Sequence, residues 1–264
     1  MRMNIIQCEQ GSAEWHAARA GCITASMFEV ARSQVGGLTA QQKIYVDAIR
    51  AGHSEKRAME LASYKAAPKS ETVARALDGE TVGEPSEAAK NYAFGLAIER
   101  ISGEPLDGGF ETWQMKRGHE LEPEARMEHE IQSGLIIQRA GFVTTSDGRF
   151  GCSADGLIDE DGGSEYKCFL APEKLRAFHI DNDASGIFDQ VQGCMWITGR
   201  KFWHIGLYCP ALAPVGRQLW WQEFKRDENY IEQLEQDLWE FKLLVDKYEG
   251  ALRKQPSAGA KVAA

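Results

Sequence analysis

The sequence predicts an α/β domain with a mixed central sheet flanked by helices. Three observations carry that expectation: a helical rhythm through the first part of the chain, a change to period-two alternation with Gly and Asp turns near residue 135, and a return to helix, strand pair and long amphipathic helix after residue 172. At 264 residues the chain is long enough to bury a substantial core without disulfides. Its 43% hydrophobic and 26% charged residues exclude a wholly disordered chain.

The elements follow in order. Ser12 is placed to cap a short helix that Gly21 ends, and Thr24 to cap a second segment reaching Ala31. Ile44, Val46, Ala48 and Ile49 set a helix over 41–51. The stretch 52–86 is polar and poor in large apolar side chains, so it reads as solvated, with a weak helix over 55–64. Tyr92, Ala93, Leu96, Ala97 and Ile101 mark a helix from Glu87 closed by Gly103 and Pro105, and a further helix over 110–132 stops at Gly134. Short strands are expected over 135–138, 141–144, 149–153 and 163–169. Helices over 172–180 and 185–198, strands over 201–209 and 217–223, and a helix from Asp227 to about Tyr248 complete the reading. The expected organisation is one domain, residues 1–250, with a helical and polar insertion over about 32–86 and a flexible tail, 251–264.

Composition narrows the chemistry. A formal net charge of −9 argues against a protein that coats nucleic acid by charge alone, while leaving room for a local basic groove. The six cysteines are scattered with no C-x-x-C pair, which excludes a structural zinc site or an iron–sulfur cluster built on clustered ligands. Neither a phosphate-binding G-x-x-x-x-G-K-[ST] loop nor a G-x-G-x-x-G turn is present. No apolar run approaches the roughly 20 residues of a membrane helix, and no apolar signal core follows Arg2, so a cytoplasmic protein is expected.

The chemistry concentrates in residues 149–168, which read as two strands around an Asp-Glu-Asp-Gly-Gly turn. A turn centred near Asp161 places Asp155 close to Glu165 and Lys167 on the partner strand. Alternation puts Glu165 and Lys167 on one face and turns Tyr166 and Cys168 away, leaving the Tyr166 backbone carbonyl available. Two carboxylates and a carbonyl are hard oxygen ligands, the set that Mg²⁺ prefers and that Mn²⁺ also accepts. Beside such an ion Lys167 is suited to orient or deprotonate water and to screen a phosphorane-like transition state. The competing reading is an exposed hairpin with an ordinary Glu–Lys surface pair. Glu122, on the helix leading into the strands, is a candidate further ligand or water holder, or else a solvated helix charge. Gln190 and Gln192 lie on an apolar helix, and Gln190 is the one favoured to face the site.

The Asp155, Glu165-x-Lys167 and upstream Glu122 set resembles the short signature of the PD-(D/E)xK nuclease superfamily. Five blocks in order make the resemblance more specific: Glu14 to Ser26 with its W-H-x-x-R-x-G-x-I-T-A-S pattern, Arg117 to Glu122, Cys152 to Leu157, Glu165 to Cys168, and Asp189 to Thr198. Together they resemble the lambda exonuclease family of phage recombination nucleases. The resemblance implies a restriction-endonuclease-like core and a Mg²⁺-dependent exonuclease that degrades one strand of a duplex from 5′ to 3′. It implies Asp155, Glu165 and the Tyr166 carbonyl as metal ligands, Lys167 as the catalytic lysine, and Glu122 and Gln190 as accessory positions. Arg19, with Ser26 behind it, matches the site that engages the 5′-phosphate of a DNA end, and a planar fork of donors suits that group. A homotrimeric ring around DNA and a single-strand annealing recombinase as partner also follow from the resemblance. So does location in a bacterial host's cytoplasm.

The chain departs from the family pattern over 32–86, where the residues that split the duplex cannot be matched, and at Cys168, where a proline is common. Two other readings stand beside the exonuclease: a nuclease of the same fold that cuts internally or with other polarity, and a non-catalytic protein that binds DNA ends.

Overall fold

The computed structural model describes residues 3–106, 113–168 and 171–254. The chain opens with β1 (Met3–Ile6), α1 (Ala13–Arg19), β2 (Ile23–Thr24), a 3-10 turn over Ala25–Met27 and α2 (Phe28–Arg32). Next come β3 (Gln34–Val35), α3 (Ala40–Arg50), α4 (Glu55–Leu61), α5 (Glu71–Leu77), β4 (Glu84–Pro85), α6 (Glu87–Ser102) and α7 (Trp113–Ser133). The strand-rich part holds β5 (Ile137–Gln138), β6 (Phe142–Thr145), β7 (Phe150–Ser153), β8 (Gly156–Ile158) and β9 (Gly162–Lys167). It continues through α8 (Pro172–His179), α9 (Phe188–Thr198), β10 (Phe202–Tyr208), β11 (Leu219–Lys225) and α10 (Glu228–Arg253). Among the described residues no helix is long and apolar enough to cross a membrane.

The chain forms two compact units, Val30–Asn91 and the remainder. The larger unit is the expected α/β structure, but its strands divide between two mixed sheets, in the orders β1-β6-β7-β2 and β11-β10-β9-β8-β5. In each sheet one parallel pair, β2 with β7 or β9 with β10, joins antiparallel neighbours. Helix α9 is buried from Val191 to Thr198, which explains why its apolar residues follow no single face. Helix α10 has one buried stripe, Ile231, Leu234, Leu238, Phe241 and Val245, the spacing of an amphipathic helix on a core. Its helical turns continue through Arg253, beyond the expected end and into the expected tail; residues 255–264 lie outside the described residues, as do 110–112 of the helix expected over 110–132 and Phe169 of the strand expected over 163–169.

The smaller unit is more ordered than its composition suggests. Helices α3, α4 and α5 close on a core of Tyr45, Val46, Ala48, Ala58, Ala62, Val73 and Ala76. Each starts on a hydroxyl cap: Thr39 in a reciprocal capping box with Gln42, then Ser54 and Ser70. The sequence signals only α4 over 52–86 and leaves α5 unmarked, because small Ala and Val side chains fill this core and leave almost no hydrophobic periodicity to read.

On the back of β9 a buried polar chain crosses the larger unit. The Tyr166 hydroxyl and His129 Nδ1 are hydrogen-bonded at 2.9 Å, and His129 Nε2 and His204 Nδ1 at 3.0 Å. Both imidazoles are buried beside Trp221. Burial, reinforced by His204, lowers the pKa of His129 from 6.5 to about 4. A histidine with a depressed folded pKa stabilises the fold fully only above its unfolded value, and that contribution is lost as the pH falls toward the folded value. The part of the stability that His129 supplies, measured by denaturant titration, is therefore expected to fall as the pH drops from 6.5 to about 4. The His129→Gln protein should show a correspondingly shallower decline over that interval; an unchanged slope would remove His129 as its source.

Candidate active site

Strand β7 ends at Ser153 in one sheet and β8 begins at Gly156 in the other, so Asp155 occupies the crossing between the sheets. The hairpin register is Gly156↔Ser164, Leu157↔Gly163 and Ile158↔Gly162, and its continuation sets Asp155 opposite Glu165. The turn thus centres on Glu160, one residue before the expected Asp161. The Asp155 N–H donates to the Ser164 carbonyl at 3.2 Å, and Asp155 Oδ2 accepts the Tyr166 N–H at 2.7 Å. The carboxylate is therefore fixed to the partner strand by main-chain groups.

On β9, Glu165 and Lys167 share a face while Tyr166 points to His129 behind, as alternation requires. Lys167 Nζ donates to Glu165 Oε1 at 2.8 Å and to Gln190 Oε1 at 3.0 Å, and Gln190 Nε2 donates to the same Glu165 oxygen at 2.7 Å. These three contacts close a triangle over the strand. The second glutamate oxygen, Oε2, is buried and accepts no hydrogen bond among the described residues.

The two glutamines of α9 separate. Gln190 reaches the site, whereas Gln192 is fully buried, donating to the Lys225 carbonyl and accepting the Asp227 N–H, each at 3.0 Å. From α7, Glu122 faces the same cavity and lies 3.5 Å from Arg126 Nη2.

Arg19 leaves the end of α1, its guanidinium 4.1 Å from the Trp15 ring centre and its Nη1 3.4 Å from Ser153 Oγ, which also accepts the Trp15 indole N–H at 2.8 Å. The helix stops there because Gly21 takes a left-handed conformation (φ 71°), with its N–H given to Glu99 and its carbonyl to Arg100. Ser26 is exposed in the following 3-10 turn with Thr24 Oγ1 at 3.4 Å; that turn and the five-residue α2 replace the longer helix expected up to Ala31, and Thr24 makes no side-chain cap. Trp15 and Ser153 escape the sequence reading as partners of Arg19. The four-residue separation of Trp15 and Arg19 on one helix face is the signal that identifies the first of them.

Asp155, Glu165, Lys167, Gln190, Glu122, Arg19 and Ser26 all line one cavity of about 590 Å³. Its charges are out of balance. Burial, then the nearby Glu165 and Glu122 charges, hold the Asp155 pKa well above the usual carboxylate range, against the opposing Tyr166 N–H and Lys167. Burial also raises Glu122, with Arg126 opposing and Glu165 reinforcing. For Lys167 burial favours the neutral amine, but the charge and hydrogen bond of Glu165, together with Asp155, outweigh it and raise the pKa. The lysine is accordingly an ammonium ion at neutral pH. Among the described residues no three His, Cys, Asp or Glu side chains form a finished metal cage. What the cavity offers is three acidic side chains, Asp155, Glu165 and Glu122, with the buried Oε2 of Glu165 lacking a hydrogen-bond partner among the described residues.

The sequence profile of the YqaJ-like viral recombinase domain matches residues 14–201, a span that contains every one of these side chains. The chain belongs to that family. The fold of the chain is similar to that of LHK-Exo, an alkaline exonuclease from Laribacter hongkongensis: TM-score 0.65 at 22% identity, with 92% of this chain and 96% of that one covered. A structure of LHK-Exo in complex with dAMP gives 0.66 at 23% identity with the same coverage. A phage-related exonuclease from Haemophilus somnus 129PT gives 0.51 at 15%, covering 88% of this chain and 94% of that one. No curated protein sequence matches. The chain thus has the expected α/β fold of mixed sheets flanked by helices, shared with these exonuclease structures.

The two glutamines differ in what they hold, so substitutions should separate them. Gln192→Ala should lower the unfolding free energy by about 2 kcal/mol, since a fully buried side chain is truncated and two main-chain groups lose their partner. Gln190→Ala should cost less than about 1 kcal/mol, because its partners keep each other. Denaturant titration of both variants measures the difference, and equal losses would contradict the division of roles.

Proposed function

We propose that this chain is a Mg²⁺-dependent exonuclease that degrades the 5′-ended strand of duplex DNA and leaves 3′ overhangs for single-strand annealing. The observation that carries the reading is the joining, in one cavity, of the Asp155–Glu165–Lys167–Gln190 cluster with an Arg19 guanidinium already oriented by Trp15 and Ser153. The fold shared with alkaline exonucleases and membership of a viral recombinase family support it.

The donor set suits a divalent cation: the buried Glu165 Oε2 lacks a hydrogen-bond partner among the described residues, and Asp155 is destabilised as an anion by burial and then by its acidic neighbours. Asp155, Glu165 and the Tyr166 carbonyl would hold Mg²⁺, or Mn²⁺ in its place, with Glu122 as a further ligand or water holder. The ion would supply Lewis-acid polarisation of the scissile phosphate and lower the pKa of water.

The chain's own groups do the remainder. Arg19 and Ser26 take the terminal 5′-phosphate, and the flat guanidinium presents paired donors to two of its oxygens. That anchor sets which linkage reaches Lys167. As an ammonium ion held by Glu165 and Gln190, Lys167 donates to the attacking water and screens the negative charge that builds on the phosphoryl oxygens. Water adds to phosphorus, the bond to the 3′ oxygen breaks and that oxygen takes a proton. The products are a mononucleotide and a strand with a fresh 5′-phosphate. Each turnover recreates the group that Arg19 reads, which suits repeated cutting from one end. LHK-Exo was solved with dAMP, a molecule of the product class this reaction gives. A homotrimeric ring around DNA and an annealing recombinase as partner complete the proposal. It rests on family resemblance for both.

Three experiments test it. On linear duplex labelled separately at each end, nucleotide release should require Mg²⁺, proceed from the 5′ end and stop with chelator, while closed circular DNA survives. Asp155→Ala and Lys167→Ala should each lower the rate by about a hundredfold or more, and wild-type rates in either variant would reject the assigned site. Arg19→Ala should abolish the preference for 5′-phosphorylated over 5′-hydroxyl ends, measured as the ratio of kcat/KM. Rapid nicking of the circle would instead favour an endonuclease.

A further inference from the structure

We propose that His129 is a positioning residue of the cation seat: through the Tyr166 hydroxyl it fixes, from behind, the stretch of β9 that carries Glu165, the Tyr166 carbonyl and Lys167. The inference rests on the exonuclease reading above and gives a role to a buried polar chain that the reaction itself does not use.

The need for an anchor lies in where the hairpin ends. The β8–β9 ladder stops at the Gly156↔Ser164 pair, so Tyr166 has no β8 residue opposite it and gives its N–H to the Asp155 carboxylate. The N–H and C=O of one strand residue point to the same edge, which puts the Tyr166 carbonyl on the Asp155 side. On the other edge β10 stays paired as far as Leu207↔Lys167. The end of β9 is thus in ladder pairing along one edge, and the Tyr166 ring holds it from behind.

The position of that ring is set twice. Its hydroxyl lies 2.9 Å from His129 Nδ1. Its flank lies beside Gly206, the β10 residue paired with it, where a built Cβ would meet Tyr166 Cδ1 at 2.8 Å. Glycine weakens a strand interior and marks the close approach of another group, here the ring.

His129 can hold the hydroxyl because it is itself held. Its Nε2 lies 3.0 Å from His204 Nδ1, and His204 Nε2 faces the Glu223 carboxylate at 3.5 Å. A hydrogen on His204 Nε2 directed at that carboxylate leaves Nδ1 an acceptor, so His129 donates from Nε2 and accepts the Tyr166 O–H at Nδ1. Tyr166, His129 and His204 are all buried, and a satisfied buried chain of this kind is rigid. His129 also stands about two turns beyond Glu122 on α7, so the same bond ties the helix that carries Glu122 to β9. Partners that orient metal ligands in this way set the affinity of a site.

A chain that served folding alone would leave cation affinity unchanged, so affinity is the readout. Mn²⁺ binding to the full chain is followed by loss of the free-ion EPR signal, and denaturant titration shows that each variant is folded. The ion lost in the Asp155→Asn, Glu165→Gln double variant is the one counted. Tyr166→Phe, which keeps the ring, and His129→Leu should each weaken its binding about tenfold. Combining them should weaken it no further, because both act through one bond. His129→Gln should bind as the wild type does, since its amide oxygen accepts the phenol and its amide nitrogen donates to His204. Gly206→Ala, which displaces the ring, should also bind more weakly. Gln192→Ala, destabilised away from the cavity, should keep wild-type affinity. Wild-type affinity in Tyr166→Phe, additive losses in the combined variant, a His129→Gln protein as weak as His129→Leu, or an equal loss in Gln192→Ala overturns the positioning role and leaves the exonuclease reading intact. A wild type with no such Mn²⁺ overturns both.

Discussion

The antiparallel pairing of β8 with β9 is the constraint on which the candidate site depends, because it brings acidic groups from separate strands to one point. Asp155 is held there twice: its N–H meets the Ser164 carbonyl and its carboxylate takes the Tyr166 N–H. A slip of one residue would turn Glu165 and Lys167 to the side now occupied by Tyr166 and its histidine partners. The register is guarded from outside the hairpin. Arg200 Nη1 donates to the carbonyls of Ile158, Asp159 and Gly162, which closes the turn, and the Lys201 N–H donates to the Asp161 carbonyl. The parallel partner β10 then fixes β9 along its length.

The same pairing creates an electrostatic imbalance at the site. Three carboxylates converge on a partly buried cavity, and the cations nearest them are committed: Lys167 to Glu165 and Gln190, Arg126 to Glu122. Isolated buried charge of this kind is costly unless it is paired or coordinated. The raised pKa of Asp155 and the unpaired Glu165 Oε2 are two expressions of that deficit. Under the proposed function a bound cation would remove both, and a substrate phosphate beside it would then meet attraction where the protein alone offers repulsion. This local balance matters more than the net charge of −9, which describes the whole surface.

Much of this geometry is legible in the sequence because it follows from short-range rules. Alternation along Glu165-Tyr166-Lys167 gives the facing of three side chains, and the Asp-Gly-rich turn gives the hairpin to within one residue. Ser12 and Gly21 bound α1 as their types suggest. Long-range decisions are less visible. The division into two sheets depends on the chain crossing over at Ala154 and Asp155, where nothing local marks a break. Strand β1 is four residues long and mostly exposed, so its apolar pattern carries no core signal. Helix α5 hides because Val73 and Ala76 are small. The Tyr166–His129–His204 chain unites residues far apart in sequence, and only the fold brings them together. Gln190 and Gln192 illustrate the limit: helical spacing shows that they face different ways, but what lies on each side comes from β9 and from the Lys225–Asp227 turn.

The central claim is that Asp155, Glu165 and the Tyr166 carbonyl together form a seat for one divalent cation. Crystals of the full chain soaked in Mn²⁺, with anomalous differences collected near the manganese edge, test it without reference to turnover. The account predicts a peak bounded by the Asp155 carboxylate, Glu165 Oε2 and the Tyr166 carbonyl, absent in the Asp155→Asn, Glu165→Gln double variant. Manganese bound elsewhere in the cavity, or a peak that survives the double substitution, would contradict it.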